Sequence, residues 1–514
     1  MWFVLIVLAL GLYIYRKIFQ PLQFWKVRNI PYEKPLPIVG NLLDSILKRK
    51  SLSEILTELY FKYSKHRYFG FFSFRTPTLM INDVDLAKQI CIKDFEYFAD
   101  HRIFIPKGID KMWDKLIFIR EGAEWQEHRK ISSASFTLGK LRVMFSNLSK
   151  CAQRIMTSLH KNNKLVTGNM RPFIMKIAND FTLDAFMGIQ CDSFNDPDNA
   201  LLKVAVNTYL NPRMKGFLFF GTAYNTFPFL TKFFQWKFFP DTGRDFYRKI
   251  VRETLEYREK HNITRIDMLH LLNEGLLENL RENKKDPDND EVQDEIVSQL
   301  MGMYFANFDS FTLTLCNCMY ELALNPDIQE RLIREIDETW ANCEGNLPHD
   351  TLMGMTYMDM VYKELMRLRG NAILAERIVT KPYTIQPVLP HEKPVHLKVG
   401  QDITFPLYSY MRDPKFFPDP YKFDPERFNE ENKHKIDNRA YLPFGEGPRK
   451  CIAFRLISVE IRLMLFHLLL RFRFVPTEKT VIPFVESKRH NILTSEHGYF
   501  INMEPRKDID ETYF

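Results

Sequence analysis

The sequence carries its most reactive arrangement in the stretch Phe444-Gly445-Glu446-Gly447-Pro448-Arg449-Lys450-Cys451-Ile452-Ala453. Two glycines and a proline so close together cannot lie inside a helix, so Gly445 to Pro448 form a tight, irregular loop. Ile452 to Met464 contains neither Gly nor Pro and reads as a long helix. Cys451 therefore stands where a loop feeds a helix N-terminus, with Arg449 and Lys450 beside it. Free N–H groups and cations both favour thiolate over thiol. A thiolate on such a loop is a nucleophile or an iron ligand. On base rates a lone cysteine is more often a small buried hydrophobe, so the choice rests on its companions.

Three further groupings could do chemistry or hold something that does. Trp125 and Arg129 lie four apart, one turn along a helical face, and an indole N–H with a guanidinium suits a carboxylate. By itself such a pair is more often an ordinary surface contact. Asp309 and Ser310 sit together in Ala306-Asn307-Phe308-Asp309-Ser310-Phe311, in the middle of an apolar helix. An acid and an alcohol there are costly unless well bonded or used. Glu364 and Arg367 lie three apart, followed later by Asp424-Pro425-Glu426-Arg427-Phe428.

The elements that must position these groups are mostly helical. Glu291 to Leu324 has no proline, ends at Asn325-Pro326 and is apolar on most faces from Ile296, so it reads as one long helix through the interior. Tyr68 to Ile81 is aromatic, branched and broken by Gly and Pro, which predicts a β-hairpin. Arg281 to Asp290 is wholly polar and reads as a solvated loop. Trp2 to Tyr15 is apolar throughout and stops at Arg16-Lys17. With snorkelling of those cations it extends through Phe19 as an uncleaved membrane anchor, its basic flank cytoplasmic. Ile30 to Asn41 carries three prolines within seven residues and makes a stiff connector. Leu210 to Phe239 interleaves Phe with Lys; being apolar rather than basic, it fits a membrane-facing, substrate-lining loop better than nucleic acid, with simple core packing an equal alternative.

Composition agrees with a large globular chain: 514 residues, 45% hydrophobic, 26% charged, net charge +7. There is no basic run long enough for nucleic acid. Seven scattered cysteines, an odd number without metal-ligand pairing, fit a reducing compartment.

The pattern F-x-x-G-x-R-x-C-x-A resembles the haem-binding loop of the cytochrome P-450 superfamily, with Ala453 where Gly is usual. Phe136-Thr137-Leu138-Gly139-Lys140-Leu141 resembles insect microsomal members, the sixth family in particular. The resemblance covers nearly the whole chain. It implies a mainly α fold with a minor β region, divided as anchor (1–20), proline-rich hinge (21–45) and catalytic domain (46–514). It implies haem b with iron ligated by Cys451, propionates gripped by Trp125, Arg129 and Arg377, and further cofactor contacts from Ala306, Phe444 and Arg449. Asp309 and Ser310 match the oxygen-activation motif, although Asn307 replaces its Gly and Ser310 its Thr. Glu364 and Arg367 match E-x-x-R, tied to Arg427.

The implied reaction is monooxygenation of a small lipophilic compound at the cytoplasmic face of the endoplasmic reticulum. Electrons would come from NADPH through its membrane-bound P-450 reductase, with cytochrome b5 as a second donor. A basic face of Arg129, Lys130, Lys450 and Arg455 would meet the donor. Two other readings stay open: a haem- and lipophile-binding carrier, and a reductase-independent peroxide isomerase. Pocket shape is expected from Ile103 to Phe118, Leu210 to Phe239, Ile373 and Thr494.

Overall fold

The computed structural model describes residues 2–102, 105, 107–161, 166–196, 198–210, 229, 233–234, 237, 241–282, 290–490 and 492–507. The Phe-rich stretch after Leu210 and residues 283–289 of the polar loop fall almost wholly outside them. The chain opens with α1 (Trp2–Ile14), continued by a π-helical turn at Tyr15–Phe19. The described apolar side chains of α1 stand in the open, Trp2 at 75% and Phe3 at 78% exposure. Among the described residues no helix is long and apolar enough to cross a membrane.

The proline-rich segment does not hang free. Trp25 is buried and donates its indole N–H to Phe71 O at 3.2 Å. A Cβ on Gly70 would meet that indole at 2.4 Å, so glycine is what lets it lie flat on the strand. The expected hairpin is present as β1 (Tyr68–Ser73) and β2 (Thr76–Ile81), antiparallel, with Tyr68 opposite Ile81. β3 (Ala375–Ile378), β4 (Tyr383–Ile385), β5 (Val395–Leu397) and β6 (Asp402–Phe405) follow much later. The main sheet runs β1-β2-β6-β3, so the N-terminal hairpin is completed by strands some three hundred residues away.

Helices make the rest: α2 (Gly122–Ser135), α3 (Leu138–Lys161), α4 (Met170–Met187), α5 (Asp290–Leu324), α6 (Thr356–Arg369) and α7 (Phe454–Leu469) position the site. The long α5 is the predicted interior helix. It stops because Pro326 opens the next helix and forbids helical geometry at Asn325. Buried bonds strap α5 to α4: Tyr304 Oη donates to Asn179 Oδ1 at 2.7 Å, and Asn307 Nδ2 to Thr182 Oγ1 at 3.1 Å.

The apolar interior forms two clusters, a helical one around α5 and α7 and another around the β1-β2-β6-β3 sheet. The helix after the cysteine begins at Phe454, two residues later than the sequence pattern begins it. All seven cysteines are free; Cys316 and Cys318 are core residues of α5.

Candidate active site

Between the two clusters lies a cavity of about 630 Å³. Its walls come from α2, α5, the strand β3 and the cysteine loop. Cys451, Phe444, Arg449, Trp125, Arg129, Arg377, Ala306 and Ser310, far apart in sequence, all line it.

The loop is shaped by its glycines. Gly445 and Gly447 take φ of +74° and +76°, which L side chains adopt only with strain. At Gly447 a Cβ would also collide with Cys91 O at 1.9 Å. The turn closes through Lys450 N–H to Gly447 O (2.9 Å) and Cys451 N–H to Phe444 O (3.0 Å). The Cys451 amide is thus spent within the loop, and the backbone N–H that favours the thiolate is that of Ala453. Arg129 and Lys450 act in the same sense, but the protein packed around the sulfur outweighs all three and holds the thiol above its ordinary value, although Cys451 itself is exposed to the cavity.

Arg449, expected beside the sulfur, instead spans the loop to the preceding segment. It donates to Ala99 O (2.8 Å), Asp100 Oδ1 (3.1 Å) and Arg120 O (2.9 Å), and stacks on Trp125 at 3.9 Å. Arg129 turns inward to Lys450 O at 2.6 Å, so it does not share an outer basic face with the exposed Lys130 and Arg455. Arg377 is buried, donates to Glu376 O at 2.7 Å, and keeps its Nε without a hydrogen-bond partner.

On α5, Ala306 and Ser310 face the cavity, one turn apart. Asp309 is not among the lining residues; the charge that acts on it is that of Arg171 on α4, and burial pushes its carboxyl up to about 7. Asn307 lines the cavity with both amide hydrogens engaged, on Thr182 and on Glu460 Oε1 of α7 at 3.3 Å. Glu460 is wholly buried, its Oε2 unpartnered and its carboxyl pushed up to about 8 by burial.

Glu364 and Arg367 sit apart from the cavity in a fully buried cluster. Arg367 donates to both carboxylate oxygens at 2.7 and 2.8 Å. Glu364 Oε1 also accepts from Arg427 Nε (3.3 Å) and Asp424 N–H (2.9 Å), joining α6 to the Pro425–Phe428 turn. Of the expected pocket residues, Trp113, Leu116, Ile117 and Phe118 line the wall, whereas Ile373 and Thr494 are buried elsewhere. Sequence reasoning did not single out His101, Arg102, Glu376 or Glu460. The only trace of Glu376 was its place next to Arg377.

Residues 30–503 match the family model described as Cytochrome P450. The chain belongs to the cytochrome P450 family. It is similar to cytochrome P450 9e2 of Blattella germanica, 33% identical with 94% of each chain covered. It is also similar to cytochrome P450 9b2 of Drosophila melanogaster, 32% identical over 98% of this chain and 99% of that one. Cytochrome P450 6j1 of Blattella germanica is 30% identical over 94% and 93%. The insect sixth-family likeness thus holds and extends to the ninth. The protein is a haem-thiolate monooxygenase, with haem b as cofactor and a cysteine thiolate on the iron.

The residues present fit that group. The lining includes the cysteine of the Gly-rich loop and the Ala306 turn of α5. Arg377 is buried and Arg129 half-buried, neither has a carboxylate partner among the described residues, and removal from water disfavours the charge of both. Two carboxylates on the edge of a flat macrocycle supply what these cations lack.

Proposed function

We propose that this P450 is a membrane-anchored microsomal enzyme that oxygenates small lipophilic compounds with electrons from NADPH. The observation that carries the reading is the cavity itself, with Cys451 on one side and Trp113, Leu116, Phe186, Met303 and Leu374 among its apolar walls. Apolar walls with few polar groups suit a lipophilic ligand. Cys451 is the ligand residue, because its sulfur is the one cysteine sulfur that lines the cavity. When bound, thiolate-ligated haem supplies activation of dioxygen for insertion of one oxygen atom.

The chain's own residues do the rest. Arg129, Trp125 and Arg377 orient the cofactor through its carboxylates. Gly302 lets Leu116 close over α5, since a Cβ there would meet Leu116 Cδ2 at 2.5 Å; this packing helps to exclude water. Ser310 Oγ gives a proton into the cavity. Asp309 reloads it from outside the lining, its carboxyl at about 7 being able to hold or release a proton near neutrality. NADPH–cytochrome P450 reductase, with cytochrome b5 as second donor, docks at Lys130, Lys450 and Arg455. Exposed α1 with the turn to Phe19 spans 18 residues, about 27 Å of helix, close to the hydrocarbon thickness of a bilayer when flanking cations snorkel. That anchor places the protein on the cytoplasmic face of the endoplasmic reticulum.

The test is Cys451→Ser in the full chain. The reduced carbon-monoxide complex should lose the red-shifted band of a thiolate ligand, and NADPH consumption with reductase should lose its substrate dependence. Unchanged spectra would refute the assignment.

A further inference from the structure

Among the described residues that line the cavity, Glu376 is the one carboxylate. It lies on β3 opposite Thr404 of β6, and Ile378 lies opposite Asp402. Glu376 and Asp402 therefore share a sheet face as diagonal neighbours, while Arg377 points to the other. Arg102 faces this pair, at 3.1 Å from Asp402 Oδ2 and donating to Thr76 Oγ1 at 3.0 Å. His101 Nδ1 and Arg377 both reach Glu376 by its main-chain carbonyl, at 2.9 and 2.7 Å, which fixes the strand but leaves the carboxylate alone. No described residue donates a hydrogen bond to that carboxylate, and the charges that act on it are Arg102 and Asp402.

Of the five cations that line the cavity, Arg102 is the one whose charge acts on the Glu376 carboxylate, so the balance at that group is one cation against two acids. Arg102 is already engaged by Asp402, and an ionised Glu376 leaves an uncompensated negative charge inside the protein. A buried carboxylate in that position is costly unless a second cation meets it. Burial indeed pushes the Glu376 carboxyl up to about 7. A cation arriving through the cavity would find Glu376 in its wall, in a site of low dielectric where one charge pair counts for more than in water.

We propose that Glu376 is the anchor of a cation subsite, so that the cavity takes lipophilic substrates that carry an ammonium group. This rests on the monooxygenase reading above and narrows its substrate class.

The experiment compares two probes of equal shape on the haem-loaded full chain by calorimetry. One is 4-phenylbutyltrimethylammonium, permanently charged and unable to coordinate iron. The other is its neutral carbon isostere, (5,5-dimethylhexyl)benzene. Glu376→Gln should weaken the cation about tenfold, the worth of one modest charge pair, and leave the isostere within about twofold.

The wild type gives a second measurement that needs no variant. Cation affinity should rise from about pH 6 to about pH 8 as Glu376 ionises, with the isostere flat. The groups facing Glu376 are Arg102 and Asp402, with His101 and Arg377 at its carbonyl. His101 is pushed down to about 3 and stays neutral throughout; burial moves Asp402 up from its ordinary value, opposed by Arg102. Only a rise specific to the charged probe and abolished in Glu376→Gln supports the subsite. Equal loss of both probes in the variant, an unaltered cation affinity, or a flat wild-type pH profile overturns it. A chain that holds no haem or binds neither probe overturns the monooxygenase reading instead.

Discussion

Replacing Glu460 by Gln should make the protein more stable, and increasingly so as the pH rises. Glu460 lies wholly inside α7, its Oε1 taking the Asn307 amide at 3.3 Å and its Oε2 without a partner. Its carboxyl ionises near 4.5 in an ordinary setting and near 8 in the fold, because burial penalises the charge more than the Asn307 hydrogen bond relieves it. Below both values the acid is neutral in both states and pH has no leverage. Above 4.5 the unfolded chain releases the proton and the fold does not, so native stability falls by about 1.4 kcal/mol per pH unit until about pH 8. The accumulated cost is about 1 kcal/mol at pH 5.5 and about 4 kcal/mol at pH 8.

Gln cannot ionise, and its Oε1 still accepts from Asn307. For a chain of 514 residues, about 1 kcal/mol corresponds to about one degree of melting temperature. The gap between Glu460→Gln and the parent should therefore widen by about 3 °C from about pH 5.5 to about pH 8. A fixed penalty for burying the new NH₂ moves every point alike, so the slope carries the test. Scanning calorimetry at one scan rate across that range measures it. A gap that stays constant or narrows as pH rises would refute the reasoning, since it would mean that Glu460 is already ionised in the fold.

Two further outcomes follow from buried charge. Glu364→Leu, which strips the counter-charge from the buried Arg367, should cost about 3–5 kcal/mol. Adding Arg367→Met should recover part of it, the remainder being the loss of the same carboxylate by Arg427, as melting of the single and double variants would show. Arg377→Gln removes a cation that has no carboxylate partner among the described residues. Transfer of haem from that variant to an apoprotein scavenger should be about tenfold faster or more, with the thiolate-type carbon-monoxide spectrum retained.

The parts legible in the sequence are those that local chemistry forces. Gly445 and Gly447 had to form a loop, and their positive φ together with the Cys91 contact at Gly447 shows why no other residue serves. The interior helix Asp290–Leu324 and the hairpin Tyr68–Ile81 follow from period, length and breakers. The Glu364–Arg367–Arg427 cluster was readable only through its resemblance to a family pattern, because nothing local links α6 to a turn sixty residues on.

Side-chain direction was not legible, because it depends on which elements pack together. Spacing put Asp309 next to Ser310, but a helix turns 100° per residue, and only Ser310 reaches the cavity. Arg449 and Cys451 are two apart, yet the docked segment of Ala99, Asp100 and Arg120 draws the guanidinium away from the sulfur. Glu376 acquired its place from the pairing of β3 with β6, and Glu460 met Asn307 across 153 positions of chain. Local chemistry in the sequence set the loop and the long helix and singled out Cys451 as the candidate thiol. Which buried carboxyls keep their charge, and what they face, was decided only when distant elements removed water from them and brought particular partners within reach.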